Sequence, residues 1–129
     1  MAGGFLKCII IRLQKEENME VNILGQMYRI SERKEAEDEK LKKLDGYCDY
    51  SSKEIVIAVF EEDPMNVADL SQYKKQVLRH EIIHAFLYES GLDNSTWKTH
   101  GWAVNDEMVD WIAIQSPKIF KAFQECNCL

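Results

Sequence analysis

The sequence predicts an α+β fold, in which a small mixed or antiparallel sheet packs on three to four helices. Two stretches lead to this prediction. Apolar residues recur at helical spacing from about residue 70 to residue 88, which is the pattern of an amphipathic helix. Residues 54–60 form a run rich in β-branched side chains, which favours a strand. The 129 residues suffice for one domain with one core.

Shorter elements are expected before the long helix. Two short strands flank Gly25, which is predicted to form the turn between them. Residues 31–44 are charged with few apolar positions, so we expect a surface helix or a partly mobile segment. Asp45 and Gly46 indicate a turn, and residues 47–50 a short strand.

Further helices are expected after the long one, which Gly91 is predicted to end. Residues 92–100 are polar and irregular. A helix is then predicted from about Trp102 or Asn105 to residue 115. Ser116 and Pro117 are predicted to start a separate last helix, with Ser as its cap and Pro in its first turn.

The long helix carries an H-E-x-x-H motif at residues 80–84. Because helical residues four apart share a face, His80 and His84 can direct both imidazoles at one point. That point suits Zn²⁺, which favours imidazole nitrogen and tetrahedral coordination. Glu81 is close enough to reach a metal-bound water without being a ligand, so we predict that it is the catalytic general base.

Two histidines leave a zinc site short of a protein ligand. His100 and three carboxylates, those of Asp106, Glu107 and Asp110, are the candidates. We favour Glu107, because helical spacing places it at the flank of the apolar side of the following helix, which is centred near Val104, Met108 and Ile112. Asp106 and His100 remain alternatives, and Asp110 is predicted to orient a ligand histidine without binding the metal itself.

Residues 80–87, with a carboxylate on the next helix, resemble the gluzincin group of zincin metallopeptidases. In length and layout the chain is similar to the small ImmA/IrrE-type metallopeptidases and to related phage and prophage proteins of Gram-positive bacteria. Residues 78–92 and 102–113 carry this resemblance most closely, and it covers roughly residues 19–123. The resemblance implies a single zincin-like domain over residues 19–129.

The same resemblance implies peptide-bond hydrolysis and a short sheet whose edge strand lies over the cleft. His80 and His84 would be ligands, Glu81 the base and Glu107 the third ligand. The thermolysin pattern of Asn, ligand Glu and a later Asp matches Asn105, Asp106 and Asp110 instead, which keeps Asp106 open.

His100 is a candidate for two roles, metal ligand and oxyanion stabiliser. Residues 99–101 are similar to the third-ligand segment of SprT-like proteins, which keeps His100 open as a ligand. An oxyanion stabiliser is also needed, and the candidates are Tyr88, Tyr47, Tyr50 and His100. The strand at residues 55–60 is expected to bind an extended peptide by edge pairing.

Charge, hydropathy and cysteine content indicate which partners and which cellular compartment to expect. The net charge of −6 argues against nucleic acid as a partner. No apolar run approaches the roughly 20 residues that span a membrane. Four cysteines without C-x-x-C spacing favour a reducing compartment, so we expect the cytoplasm of a bacterial host.

The first eighteen residues are interpreted separately. Residues 15–18, just before Met19, can be encoded by a bacterial ribosome-binding sequence. Our hypothesis is that Met19 is the natural start and that residues 1–18 are an upstream extension. The alternative is a genuine N-terminal segment that packs on the domain.

The sequence therefore predicts a zinc-dependent metallopeptidase of phage or prophage type, which hydrolyses a specific protein through a metal-activated water. A regulator of a phage or mobile element is the candidate substrate. The alternative is a zinc-binding protein of the same fold that binds a partner without cleaving it. A third hypothesis is a metal-independent interaction domain.

Overall fold

The computed structural model describes residues 19–61 and 69–129. Residues 1–18, to which the start-site hypothesis applies, lie outside the described residues. Within the described ranges the α+β class is confirmed, with a four-stranded mixed sheet and three α-helices. The strands are β1 (Met19–Ile23), β2 (Gln26–Arg33), β3 (Gly46–Asp49) and β4 (Glu54–Ala58), and the helices are α1 (Leu70–Glu89), α2 (Leu92–Ser95) and α3 (Asp106–Glu125).

β1 and β2 form the hairpin expected around Gly25. Leu24 and Gly25 both have positive φ, at 51° and 94°, which matches the twist that a two-residue hairpin turn requires. The N–H of Gly25 donates to the side-chain oxygen of Asn22 at 2.8 Å, so the turn is held by its own side chain.

The strand order β1-β2-β4-β3 places β4 inside the sheet. β4 pairs in parallel with β2 and antiparallel with β3, so both of its hydrogen-bonding edges are occupied. The prediction that residues 55–60 bind a peptide by edge pairing is therefore wrong. Among the described strands, the free edges belong to β1 and β3.

Residues 31–44 do not form the surface helix that was one expectation. β2 continues to Arg33, and two 3₁₀ turns follow at Glu35–Glu37 and Glu39–Lys42. The Arg33 guanidinium donates to Asp38 at 3.2 Å and to Glu54 at 2.5 Å, which ties these turns to the sheet. Leu41 is buried with β4 residues, so one apolar side chain anchors the segment.

α1 packs against one face of the sheet, over a buried cluster that includes Ile23, Tyr28, Ile55 and Ile57 from the strands and Val77 and Ala85 from the helix. β3 approaches α1 closely at Gly46. A Cβ there would lie 3.0 Å from a methyl group of Val77 and 3.0 Å from one of Ile57. Glycine at this position therefore lets the edge strand lie directly beside the motif helix.

α3 is one continuous helix through Pro117, so the predicted start of a separate helix at Ser116 is wrong. Proline has no N–H to donate to the carbonyl four residues earlier. That carbonyl, of Ala113, accepts from the Nε of Arg79 on α1 at 2.6 Å instead. Neither α1 nor α3, the two long helices of the described chain, has the apolar stretch that crossing a membrane requires.

Candidate metal centre

The motif occupies the middle of α1, as predicted. The helix begins behind Asp69, whose side chain accepts from the N–H of Gln72 at 3.1 Å, a capping contact that satisfies one free donor of the first turn. His80 and His84 then lie one turn apart, with their Nε2 atoms 3.0 Å from each other. Their side chains are only 16% and 12% exposed, so the pair lies in a recess.

Asp106 brings a third donor atom to the two histidines. Its Oδ1 lies 2.9 Å from Nε2 of His84 and 3.5 Å from Nε2 of His80. Zinc bonds of about 2.0–2.1 Å at tetrahedral angles place ligand atoms roughly 3.3 Å apart. The three separations, 2.9, 3.0 and 3.5 Å, lie close to that value. Two imidazoles and a carboxylate therefore fit Zn²⁺ in both chemistry and spacing.

Asp110 contacts the other nitrogen of His80. Its Oδ1 lies 2.6 Å from Nδ1 of that ring, one helical turn beyond Asp106. A carboxylate at this distance favours a proton on Nδ1, which leaves the lone pair of Nε2 free to bind a metal. Asp110 is thus placed to orient His80 and to fix its tautomer.

Glu107 and His100 lie away from this cluster. Both are exposed, and neither side chain forms a hydrogen bond or ion pair within the described ranges. The preference for Glu107 took Val104 as part of the apolar side of the helix. Val104 instead belongs to a preceding 3₁₀ turn, and the buried residues of α3 are Val109 and Ala113. The inward face of α3 therefore differs from the one that was expected, and Asp106, not Glu107, faces the histidines.

Glu81 lies beside the donors and is buried, with 7% of its surface exposed. Burial raises the pKa of its carboxyl to about 7, with an opposing effect from His80 and smaller reinforcing effects from Asp106 and Asp110. Across residues 19–61 and 69–129, no group donates a hydrogen bond to this carboxyl. A carboxyl with a near-neutral pKa and free oxygens is suited to accepting a proton and returning it.

His84 is held as a neutral imidazole. Burial lowers its pKa, and this effect is larger than the opposing one of the hydrogen bond to Asp106. Neutral imidazole is the form that binds metals. Asp93, which is 8% exposed on α2, raises the pKa of His84 through its charge, in the same direction as Asp106. No sequence pattern distinguishes Asp93 from an ordinary acidic residue at a helix start.

Of the four oxyanion candidates, Tyr50 is within electrostatic range of Glu81 and Asp106. Its ring stacks on that of Tyr88, with centroids 4.2 Å apart and planes within 2°. Burial raises the pKa of Tyr50, and the nearby acidic groups Cys48, Asp93, Glu81 and Asp106 add to this effect, so the phenol keeps its proton. Tyr47, by contrast, donates to Asp38 at 2.5 Å and packs with Leu41 and Val56.

No family model matches the chain, and no curated protein or solved structure is significantly similar to it. The donor atoms of His80, His84 and Asp106 and the buried carboxyl of Glu81 are therefore the features that bear on function.

Proposed function

We propose that this protein is a zinc-dependent metallopeptidase that hydrolyses peptide bonds in a specific protein substrate. One observation carries the proposal. Three donor atoms of the right chemistry converge at ligand-like spacing beside a buried carboxyl that has no hydrogen-bond partner in the described chain.

The proposed ligands are His80, His84 and Asp106, with Asp110 holding the first ring in place. When bound, zinc supplies a Lewis acid that polarises a carbonyl group and makes water more acidic. Asp106 replaces the Glu107 of the sequence-based preference. It agrees with the thermolysin-like spacing of residues 105, 106 and 110, although Asp stands where that pattern has Glu.

The remaining steps belong to side chains of this protein. Glu81 accepts the proton of the attacking water and later delivers it to the leaving amine. Tyr50 donates a hydrogen bond to the oxygen on which negative charge develops. The outer edge of β3, beside α1, pairs with the backbone of an extended substrate. This edge takes the role that the sequence had assigned to residues 55–60.

The proposed setting is the cytoplasm of a bacterial host, with a regulator of a phage or mobile element as substrate. Cys48, Cys126 and Cys128 are free thiols, which suits a reducing compartment. The resemblance of residues 78–92 and 102–113 to phage and prophage metallopeptidases supports the choice of substrate class.

Replacing Glu81 by Gln tests the proposal, because Gln keeps the size but cannot accept the proton. The purified variant should hold about one zinc per chain, as the wild type does. Hydrolysis should fall by about 10²–10⁴-fold. Co-expression with regulators encoded beside this gene should shorten one of them, and Glu81→Gln should leave that regulator intact. Glu107→Gln is the matched control and should cleave normally. Equal cleavage by the Glu81→Gln variant would remove Glu81 from the reaction.

A zinc-binding protein that holds a partner without cleaving it is the second candidate. All three tryptophans of the chain are exposed, Trp97 by 63%, Trp102 by 46% and Trp111 by 58%. Exposed aromatic side chains of this kind are common at protein interfaces. If this candidate is right, Glu81→Gln will keep both zinc and partner, and no wild-type cleavage product will appear.

A further inference from the structure

A cavity of about 240 Å³ lies directly beside the proposed reaction centre. It is bounded by the start of β3, by α1 and by α3, and both His80 and Glu81 line it. A substrate side chain that enters this cavity therefore belongs to a residue next to the bond being cleaved.

The walls of the cavity combine apolar surface with negative charge. Leu44 and Val77 supply the apolar part, and the carboxylates of Asp45 and Asp110 supply the charge. No lysine or arginine of the described chain lines it. The phenol of Tyr73, which also lines the cavity, donates to Asp45 and so holds this carboxylate in position.

These carboxylates retain hydrogen-bonding capacity. Asp110 uses Oδ1 toward His80, and Asp45 uses Oδ2 toward Tyr73. A carboxylate has about four acceptor positions on its two oxygens, so each can accept further bonds. Glu81 also lines the cavity, is more than nine-tenths buried and has no hydrogen-bond partner among the described residues. The charged groups of the cavity wall are thus acidic, and its side-chain donors, such as the amide of Gln76, are uncharged.

We infer that this cavity receives a basic substrate side chain, Lys or Arg, with its apolar stem against Leu44 and Val77 and its cation beside Asp45 and Asp110. The inference rests on the proposed function and specifies its substrate. Lys and Arg combine a long apolar stem with a charged end, which matches these walls. A Glu side chain would meet like charge, and an apolar one would desolvate the carboxylates without pairing them.

Hydroxamates test this specificity without requiring catalysis, because they bind zinc directly. Two series are needed, with the side chain placed before or after the chelating group, since the cavity could serve either side of the bond. Each series contains a lysine, a norleucine and a glutamate side chain. Dissociation constants are measured by calorimetry on the zinc-loaded protein.

In one series the lysine compound should bind about fivefold to tenfold more tightly than the norleucine compound, the effect of one or two partly exposed ion pairs. The glutamate compound should bind most weakly. Asp45→Asn should remove much of the lysine preference, and Asp45→Lys should reverse the order of lysine and glutamate. Glu39→Gln, which removes one exposed charge outside the cavity, should leave the order unchanged.

The outcomes separate this inference from the function on which it rests. Equal affinity for lysine and norleucine in both series would overturn the inference and leave the zinc site standing. Zinc-loaded protein that binds neither series would overturn it as well. Failure of the protein to bind zinc at all, measured by elemental analysis, would instead overturn the proposed function.

Discussion

The Nε of Arg79 donates a hydrogen bond to the carbonyl oxygen of Ala113 at 2.6 Å, and so joins α1 to α3 one residue before the proposed ligand His80. In an unbroken helix that carbonyl would accept from residue 117, which is proline here. Arg79 thus satisfies a carbonyl that Pro117 leaves free. The same bond holds α3 against α1 where Asp106 and Asp110 meet the two histidines.

Arg79→Ala is expected to lower the free energy of unfolding by about 1–3 kcal/mol, the usual effect of leaving a buried acceptor unpaired. Zinc affinity should fall as well, because the two helices lose a fixed contact. Urea unfolding measures the first effect, and competition with a chelator measures the second.

Adding Pro117→Ala to that variant separates the two roles of Arg79. Alanine restores the N–H that Ala113 lacks, so stability should recover, whereas zinc affinity should stay low because the contact between helices is still missing. Recovery of both quantities would mean that Arg79 serves only the carbonyl. Additive effects of the two substitutions on stability would contradict their coupling.

Asp106→Ala should abolish stoichiometric zinc binding at micromolar metal, since it removes one of three protein ligands. Glu107→Ala, one residue further along the same helix, is the matched control and should retain the metal. Elemental analysis after gel filtration measures both. Zinc lost from the Glu107 variant but kept by the Asp106 variant would return the third position to Glu107.

Tyr50→Phe removes the hydroxyl that is proposed to stabilise the oxyanion. It is expected to reduce the catalytic rate by about 10²–10³-fold, as the loss of an oxyanion donor does, with zinc content unchanged. Tyr47→Phe should behave in the opposite way. It loses the hydrogen bond to Asp38, so stability should fall while the rate per folded molecule stays the same. A full rate in Tyr50→Phe would assign the oxyanion contact elsewhere.

Acid should destabilise the contact at the end of α1. Hydrogen bonds from Lys53 and then from Tyr28 lower the pKa of Glu89 below its ordinary value of 4.5. Because the folded pKa is the lower one, the stabilisation is complete above pH 4.5 and is lost as pH falls through the folded value. In this window the free energy of unfolding should decline less for Glu89→Gln than for the wild type.

Glu89→Gln should also be less stable than the wild type at neutral pH, where the charged contact with Lys53 is complete. Chemical denaturation across the pH range measures both effects. Parallel curves for the two proteins below pH 4.5 would show that Glu89 does not contribute to the acid transition.

Local pattern was sufficient to predict the motif helix and the strands. The helix at residues 70–88 and the hairpin around Gly25 depend on periodicity and turn chemistry within a few residues. The position of β4 inside the sheet depends on which distant strands pair, which no local pattern contains. The sequence of residues 54–60 therefore predicted a strand but not the strands with which it pairs.

The third metal ligand was harder to predict, because two neighbouring carboxylates were available. Asp106 and Glu107 differ by one position, which is about 100° around a helix. The choice depends on where α3 begins, and Asn105 sets that point by accepting from the N–H of Met108 at 2.9 Å. Where α3 continues through Pro117, the carbonyl of Ala113 accepts from Arg79, a contact that only the folded chain provides.

The strands and the donor-bearing helices occupy separate halves of the chain, residues 19–58 and 70–125. On the proposed function, Leu44 and Asp45 help to select the substrate side chain, whereas the metal ligands and the general base all lie between residues 80 and 106. Asp45 can therefore be replaced without removing a metal ligand or the general base. Replacements around Asp45 could redirect the enzyme toward a new target while the metal site stays intact, so this scaffold is suited to retargeting.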